Sequence, residues 1–234
     1  MIGFGMYTKM AEPVTILEDN RLVKIDPQED GFFDAVINFK STKDDINAFI
    51  EAISEVKAAK LESFYKPIYD PSENGNMIGY QKGKQPALRH SYNWWVEMAS
   101  LMPTVEGKHW HLATEYQYYA FLVWLINQLV KDGKSVEVAL NMVVLDSKEL
   151  GHYFDSEAFA EGEYFEPTGS RCVCGVYDLA NASKILTSSN EVAGNFWLGG
   201  GSCSDNGGTY PLAFLRRLTC VDFGSNYCVG LLVL

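Results

Sequence analysis

Three groupings of residues have the types and spacing to do chemistry. The first is Glu149-Leu-Gly-His152, with Asp146 and Asp155 close by. Glu and His three positions apart share one face of a helix, which is the donor set of a metal-dependent hydrolase; a solvated acidic loop explains the same residues. The second is His109-Trp110-His111, which as a strand puts both imidazoles on one face. No third ligand accompanies it, so it reads as structural. The third lies near the C-terminal end, where Tyr210, Arg216, Arg217 and Tyr227 follow one another within a few turns of chain. Tyr and Arg dominate binding hot spots: one buries a large area at low entropic cost, the other donates through a rigid fork. That chemistry is recognition, not catalysis.

The setting of this third group is unusual. After Trp197 the chain contains no Lys, Glu, Gln, Met or Trp. These five types make up about a fifth of the whole sequence, so a tail of this length should hold roughly seven of them. The absent set has a meaning in the genetic code. An asparagine codon whose two adenines are replaced by any base encodes fifteen amino acids and never those five. The same absence also fits a Gly-rich loop with few charges. Cys203, Asp205, Asn206, Thr209, Tyr210, Leu215, Arg216, Arg217, Thr219, Cys220, Asn226, Tyr227 and Cys228 follow no helical or strand period. They are the expected ligand-binding, variable positions, within a region of about 198–228. Leu215 and one or two of the cysteines have a competing reading as core, and Trp197 is expected in the core. No catalytic residue, metal ligand or cofactor is assigned.

Composition narrows the partners. The chain has 234 residues, a formal net charge of −11 and a pI near 4.8, the opposite of a nucleic-acid footprint. Hydrophobic residues at 47% and charged residues at 21% are values of a globular protein with ample core. No run of 18 apolar residues predicts membrane insertion, and the start, MIGFGMYTKMAEPV, lacks the basic and apolar regions of a secretory signal. The five cysteines are odd in number, and Cys172-Val-Cys174 has the wrong spacing for the usual zinc or redox pair. Mostly free thiols are expected, in a chain made in the cytoplasm.

Several elements must hold these groups. Val14–Leu17 and Leu22–Ile25 read as a hairpin, and Ala35–Phe39 as a third strand. Thr42 is the expected cap of an amphipathic helix over 43–61. Residues 71–86 are polar and turn-rich, a linker between an N-terminal extension (1–70) and a larger domain (87–234). There, Ser91 or Asn93 caps a short helix ending before Pro103, and Thr114-Glu115 opens a buried helix to about Lys131, closed by Gly133. A helical stretch from Ser135 to about Leu145 and an irregular acidic stretch over 147–170 follow. Short strands over Cys172–Tyr177 and Asn195–Leu198 lead to a buried strand, Val229–Leu234, that ties the end of the chain into a sheet.

Four motifs in this larger portion occur in an order that resembles a known family. Leu112-Ala113-Thr114-Glu115 resembles Leu-Pro-Thr-Glu of formylglycine-generating-enzyme-like domains, with Ala for Pro and with His111 where Arg is usual. Cys174-Gly175-Val176-Tyr177-Asp178-Leu179-Ala180-Asn181 resembles Gly-Leu-Tyr-Asp-Met-Ser-Gly-Asn, without the Trp-Glu-Trp that normally follows. Gly200-Gly201-Ser202 is similar to Arg-Gly-Gly-Ser-Trp, and Val229-Gly230-Leu231-Leu232 stands where Val-Gly-Phe-Arg is usual. The resemblance covers about Pro86 to Leu234 and implies an α+β, C-type-lectin-like fold behind a β-rich and helical N-terminal extension.

Within that class the tail is similar to the variable proteins of diversity-generating retroelements, which rewrite asparagine codons of a C-terminal region. That resemblance implies a protein or cell-surface ligand, and a place on a phage tail or a host cell surface. The extension would then dock to a virion or mediate homo-oligomerisation. Two alternatives remain. Formylglycine-generating oxidases activate oxygen through copper held by a close cysteine pair; Cys203, Cys220 and Cys228 depart from that spacing, and Cys203 falls where Trp is usual. A structural phage tail component would use the same fold for assembly alone.

Overall fold

A computed structural model of the chain describes residues 22–74, 77–87, 90–105, 107–150, 167–169, 172–179, 184–188, 196–199, 212–213, 215–218, 228–230 and 232–234. The architecture mixes helices and strands in the α+β manner. Strand β1 (Leu22–Ile25) pairs antiparallel with β2 (Phe64–Pro67), Ile25 opposite Phe64. The expected hairpin partner, Val14–Leu17, lies outside the described residues. Ala35–Phe39 is not a strand: Asp34–Ile37 forms the helical turn α1. Gly31 turns the chain at φ +78°, after which Phe33 and Val36 are both buried. A strand would place those two positions on opposite faces, whereas a helix puts residues three apart on the same one.

Helix α2 (Asp44–Ala58) buries Ile46, Phe49, Ile53 and Val56, the stripe its periodicity predicts. Its cap differs from expectation. Lys43 occupies the N-cap position, and the Ser41 hydroxyl accepts the Lys43 N–H at 3.0 Å. The stretch expected as a linker instead folds. β3 (Ser72–Asn74) and β4 (Met77–Gly79) pair antiparallel, the Ser72 hydroxyl donates to the Gly79 carbonyl, and Ile78 and Tyr80 are buried. Polar composition misled here because apolar residues of the stretch, Ile78 and Tyr80, still had a core to enter.

Helix α3 (Tyr92–Leu101) is capped by Ser91, whose hydroxyl accepts from the Trp94 N–H. After β5 (His111–Leu112), helix α4 (Glu115–Lys131) opens on a complete capping box. Thr114 Oγ1 accepts the Gln117 N–H at 3.2 Å, and Gln117 Oε1 accepts the Thr114 N–H at 2.9 Å. Gly133, at φ +92°, ends the run. Helix α5 (Val136–Leu140) continues as a π turn over Asn141–Leu145 and a 3-10 turn over Ser147–Glu149. β6 (Cys172–Val173) and β7 (Val176–Tyr177) form a hairpin whose turn residues, Cys174 and Gly175, both have positive φ, as the tightest hairpin turns require.

Strands β8 (Lys184–Ser188), β9 (Phe196–Gly199), β10 (Leu215–Leu218) and β11 (Cys228–Gly230) make one sheet in the order β10-β9-β8-β11. β11 runs parallel to β8; the other neighbours are antiparallel. The final strand, β12 (Leu232–Val233), leaves this sheet and pairs with β5.

The N-terminal portion does not stand apart. One apolar cluster joins Ile25, Phe33, Phe49 and Phe64 with Tyr118, Phe121, Ile126 and Val233. A second gathers Ile78, Tyr80, Trp95, Trp110, Leu112 and Leu234. The expected extension is a layer of a common core, because α2 and β1–β2 bury their apolar faces against α4 and the last strand.

Candidate binding surface

The frame around the predicted site is set by the last seven residues. Leu232 and Val233 pair with Leu112 and His111. Beyond them Leu234 and Tyr65 exchange both backbone hydrogen bonds, at 2.8 and 3.0 Å. Val233 is fully buried and Leu234 nearly so. The expected single strand is thus two: β11 belongs to the four-stranded sheet, and β12 is clamped between β5 and β2. At the end of β11, Gly230 faces Trp95 so closely that a Cβ there would stand 2.6 and 2.8 Å from indole carbons. Only glycine fits that approach.

The four-stranded sheet carries those predicted positions that fall among the described residues. Leu215, Arg216 and Arg217 lie on β10 opposite Gly199, Leu198 and Trp197. Cys228 opens β11 opposite Lys184. The structure therefore brings these four into one sheet, on its two outer strands, separated by about 14 Å at the usual strand spacing. Cys203, Asp205, Asn206, Thr209, Tyr210, Thr219, Cys220, Asn226 and Tyr227 lie outside the described residues, as does Gly200–Ser202.

The motifs that point to metal or thiol chemistry are placed as follows. His111 Nε2 lies 3.2 Å from Gln117 Oε1 and His111 Nδ1 lies 3.2 Å from the His109 carbonyl, so the ring belongs to the capping network of α4. Asp146 and Glu149 are exposed beside the 3-10 turn, while His152 and Asp155 lie outside the described residues. Among the described residues no three His, Cys, Asp or Glu side chains converge as metal ligands. Cys172 is a free, exposed thiol. Cys174 is half-buried, and its thiol donates to Asp132 Oδ2 at 3.2 Å. Burial, that hydrogen bond and the Asp132 charge push its pKa up to about 12.

One polar cluster escaped sequence reasoning. Lys66, on β2, is buried: its ammonium donates to the Pro67 carbonyl at 2.9 Å and lies 5.1 Å from the centre of the Phe121 ring. Asp178 sits in the left-handed region at φ +60° and accepts from the Gly169 N–H at 2.8 Å and the Asp70 N–H at 3.2 Å. Burial lowers the Lys66 pKa against the pull of Asp70 and Asp178. Burial and the Asp178 charge raise the Asp70 carboxyl well above the usual carboxylate range, even though part of the Asp70 surface is exposed. Asp70 and Asp178 are 108 residues apart, so no local pattern could pair them; the one signal was the motif containing Asp178.

Compared with protein-family models, with curated proteins and with solved structures, the chain matches none.

Proposed function

We propose that this chain is a ligand-binding protein with a C-type-lectin-like fold of the formylglycine-generating-enzyme-like kind, and that its region 198–228 is a recognition surface diversified by a retroelement. One contrast carries the reading. Residues 198–228 draw on an alphabet that adenine-directed rewriting of asparagine codons would leave, and the residues that follow at once are locked into the core. Gly230 has no room for a side chain beside Trp95, and Leu234 is hydrogen-bonded to Tyr65. Such a division lets exposed positions change at little cost, since surface substitutions are usually within about 0.5 kcal/mol.

The protein acts by binding and not by catalysis. Cys203, Cys220 and Cys228 stand too far apart in sequence for the close pair of a copper oxidase, and chance thiols from rewritten codons account for them. Its partner is a protein or cell-surface ligand, met from a phage tail or from a host cell surface. Residues 1–70 contribute virion attachment or self-association. Cys203, Asp205, Asn206, Thr209, Tyr210, Leu215, Arg216, Arg217, Thr219, Cys220, Asn226, Tyr227 and Cys228 form the recognition set, Tyr210, Arg216, Arg217 and Tyr227 foremost.

The DNA beside the gene tests this. The expected finding is a near-copy of the 3′ coding end carrying asparagine codons at the thirteen positions, next to a reverse transcriptase gene. A complete neighbourhood without such a copy contradicts the proposal.

A further inference from the structure

A cleft of about 450 Å³ opens between the C-terminal half of α4 and a wall formed by Lys24 of β1 and the segment after it. Its volume falls within the range of small-molecule sites, about 300–1,000 Å³. Trp124, Asn127, Gln128 and Lys131 line it from α4, at the helical spacing i, i+3, i+4, i+7. Trp124 is half-buried and stacks on Phe121, with ring planes 19° apart and centroids 5.9 Å apart, so the indole is held in place.

The facing wall is tied to the helix. Asn127 Nδ2 donates to the Phe32 carbonyl at 2.7 Å, and Gln28 Nε2 donates to the Leu61 carbonyl at 2.9 Å. Lys24 and Asp26 are paired at 2.7 Å. Those bonds leave the amide oxygens of Asn127 and Gln28 as acceptors. Gln128 and Lys131 form no side-chain hydrogen bond or ion pair among the described residues, so their donors face solvent. The two lysines of the lining are balanced by Asp26 and Glu29, so no net charge recruits an ion.

A fixed aromatic plate beside both donors and acceptors, without net charge, suits a ring whose hydroxyls each donate and accept and whose C–H face packs on indole. We propose that this cleft is a binding site for a neutral saccharide ring, separate from the diversified surface. An anion would meet the carboxylates of Asp26 and Glu29 in the same lining, and an apolar ligand would leave the polar wall unpaired.

The test is saturation-transfer NMR on the full chain. The panel is glucose, galactose, mannose, N-acetylglucosamine, maltose and lactose, with glucose 6-phosphate, glucuronate and glycylglycine as charged counterparts. At least one neutral sugar is expected to bind, with about tenfold weaker affinity in Trp124→Ala. Trp124→Ala can fail through loss of packing on Phe121, so Gln128→Ala and Lys131→Ala, which remove solvent-facing groups, give an independent readout. Each is expected to weaken binding about threefold or more with an unchanged melting temperature. The proposal is overturned if no neutral sugar binds. It is also overturned if the phosphate, carboxylate or dipeptide binds in their place, or if binding persists unchanged in Gln128→Ala and Lys131→Ala.

Discussion

Gly230 of β11 packs its bare Cα against the indole of Trp95 of α3, a ring with no exposed surface. This contact locks the sheet that carries Leu215–Arg217 and Cys228 to a helix capped by Ser91. Gly230→Ala forces a methyl group into a rigid ring, an overpacking cost of about 1–3 kcal/mol or more. For a chain of this size the melting temperature should fall by roughly 2–12 °C. Trp95→Phe in the same chain should recover part of the loss, giving a non-zero coupling in the double-mutant cycle. Additive losses would mean that the two residues do not meet.

The capping box of α4 makes a smaller, separable prediction. Thr114→Ala removes the acceptor of the Gln117 N–H and should cost about 1 kcal/mol in urea unfolding. Thr114→Ser keeps the acceptor and should stay within about 0.5 kcal/mol of the parent protein.

Thiol reactivity should separate Cys172 from Cys174. The thiolate is the nucleophile. Burial and Asp132 hold the Cys174 pKa at about 12, against an ordinary 9.0. At pH near 8, iodoacetamide followed by peptide mass spectrometry should therefore label exposed Cys172 well before Cys174. Asp132→Asn removes the acidic partner and should speed labelling of Cys174. The folded thiol keeps a proton that the unfolded one loses above its ordinary value, so this group's contribution to stability falls as pH rises from about 9 toward 12.

Asp70 gives a dependence in the acid range. Its folded pKa is raised, so between the ordinary carboxylate range and that higher value the native state holds a proton the unfolded chain has released. Stability from this group is then present at low pH and is lost as pH rises through that window. Asp70→Asn cannot titrate. The stability of the parent protein minus that of Asp70→Asn should decline from about pH 4 upward; a difference that grows with pH would contradict the proton-retaining carboxyl.

Much of the helical framework was legible in the sequence, because a helix states its own start, stripe and stop. The Ser91 cap, the Thr114 box and the Gly133 stop all lie within a few residues of what they control. Strand pairing was less legible, since it is decided by residues far apart. Nothing local to Leu22–Ile25 names Phe64–Pro67 as its partner, and nothing in Leu234 names Tyr65. The same distance hid the Lys66–Asp70–Asp178 cluster. Val36 was misread as part of the strand Ala35–Phe39 because Val favours strands, until burial at helical spacing from Phe33 overrode that preference. Of the proposed recognition set, the restricted alphabet was legible in the sequence, and β10 and β11 place Leu215, Arg216, Arg217 and Cys228 in one sheet.

A library in which each codon from 198 to 234 is varied, displayed and sorted by resistance to proteolysis, tests the central division of roles most directly. The account predicts that the thirteen recognition positions tolerate most of the fifteen amino acids, while Gly230, Val233 and Leu234 tolerate almost none. Recognition positions as intolerant as Gly230 would contradict it.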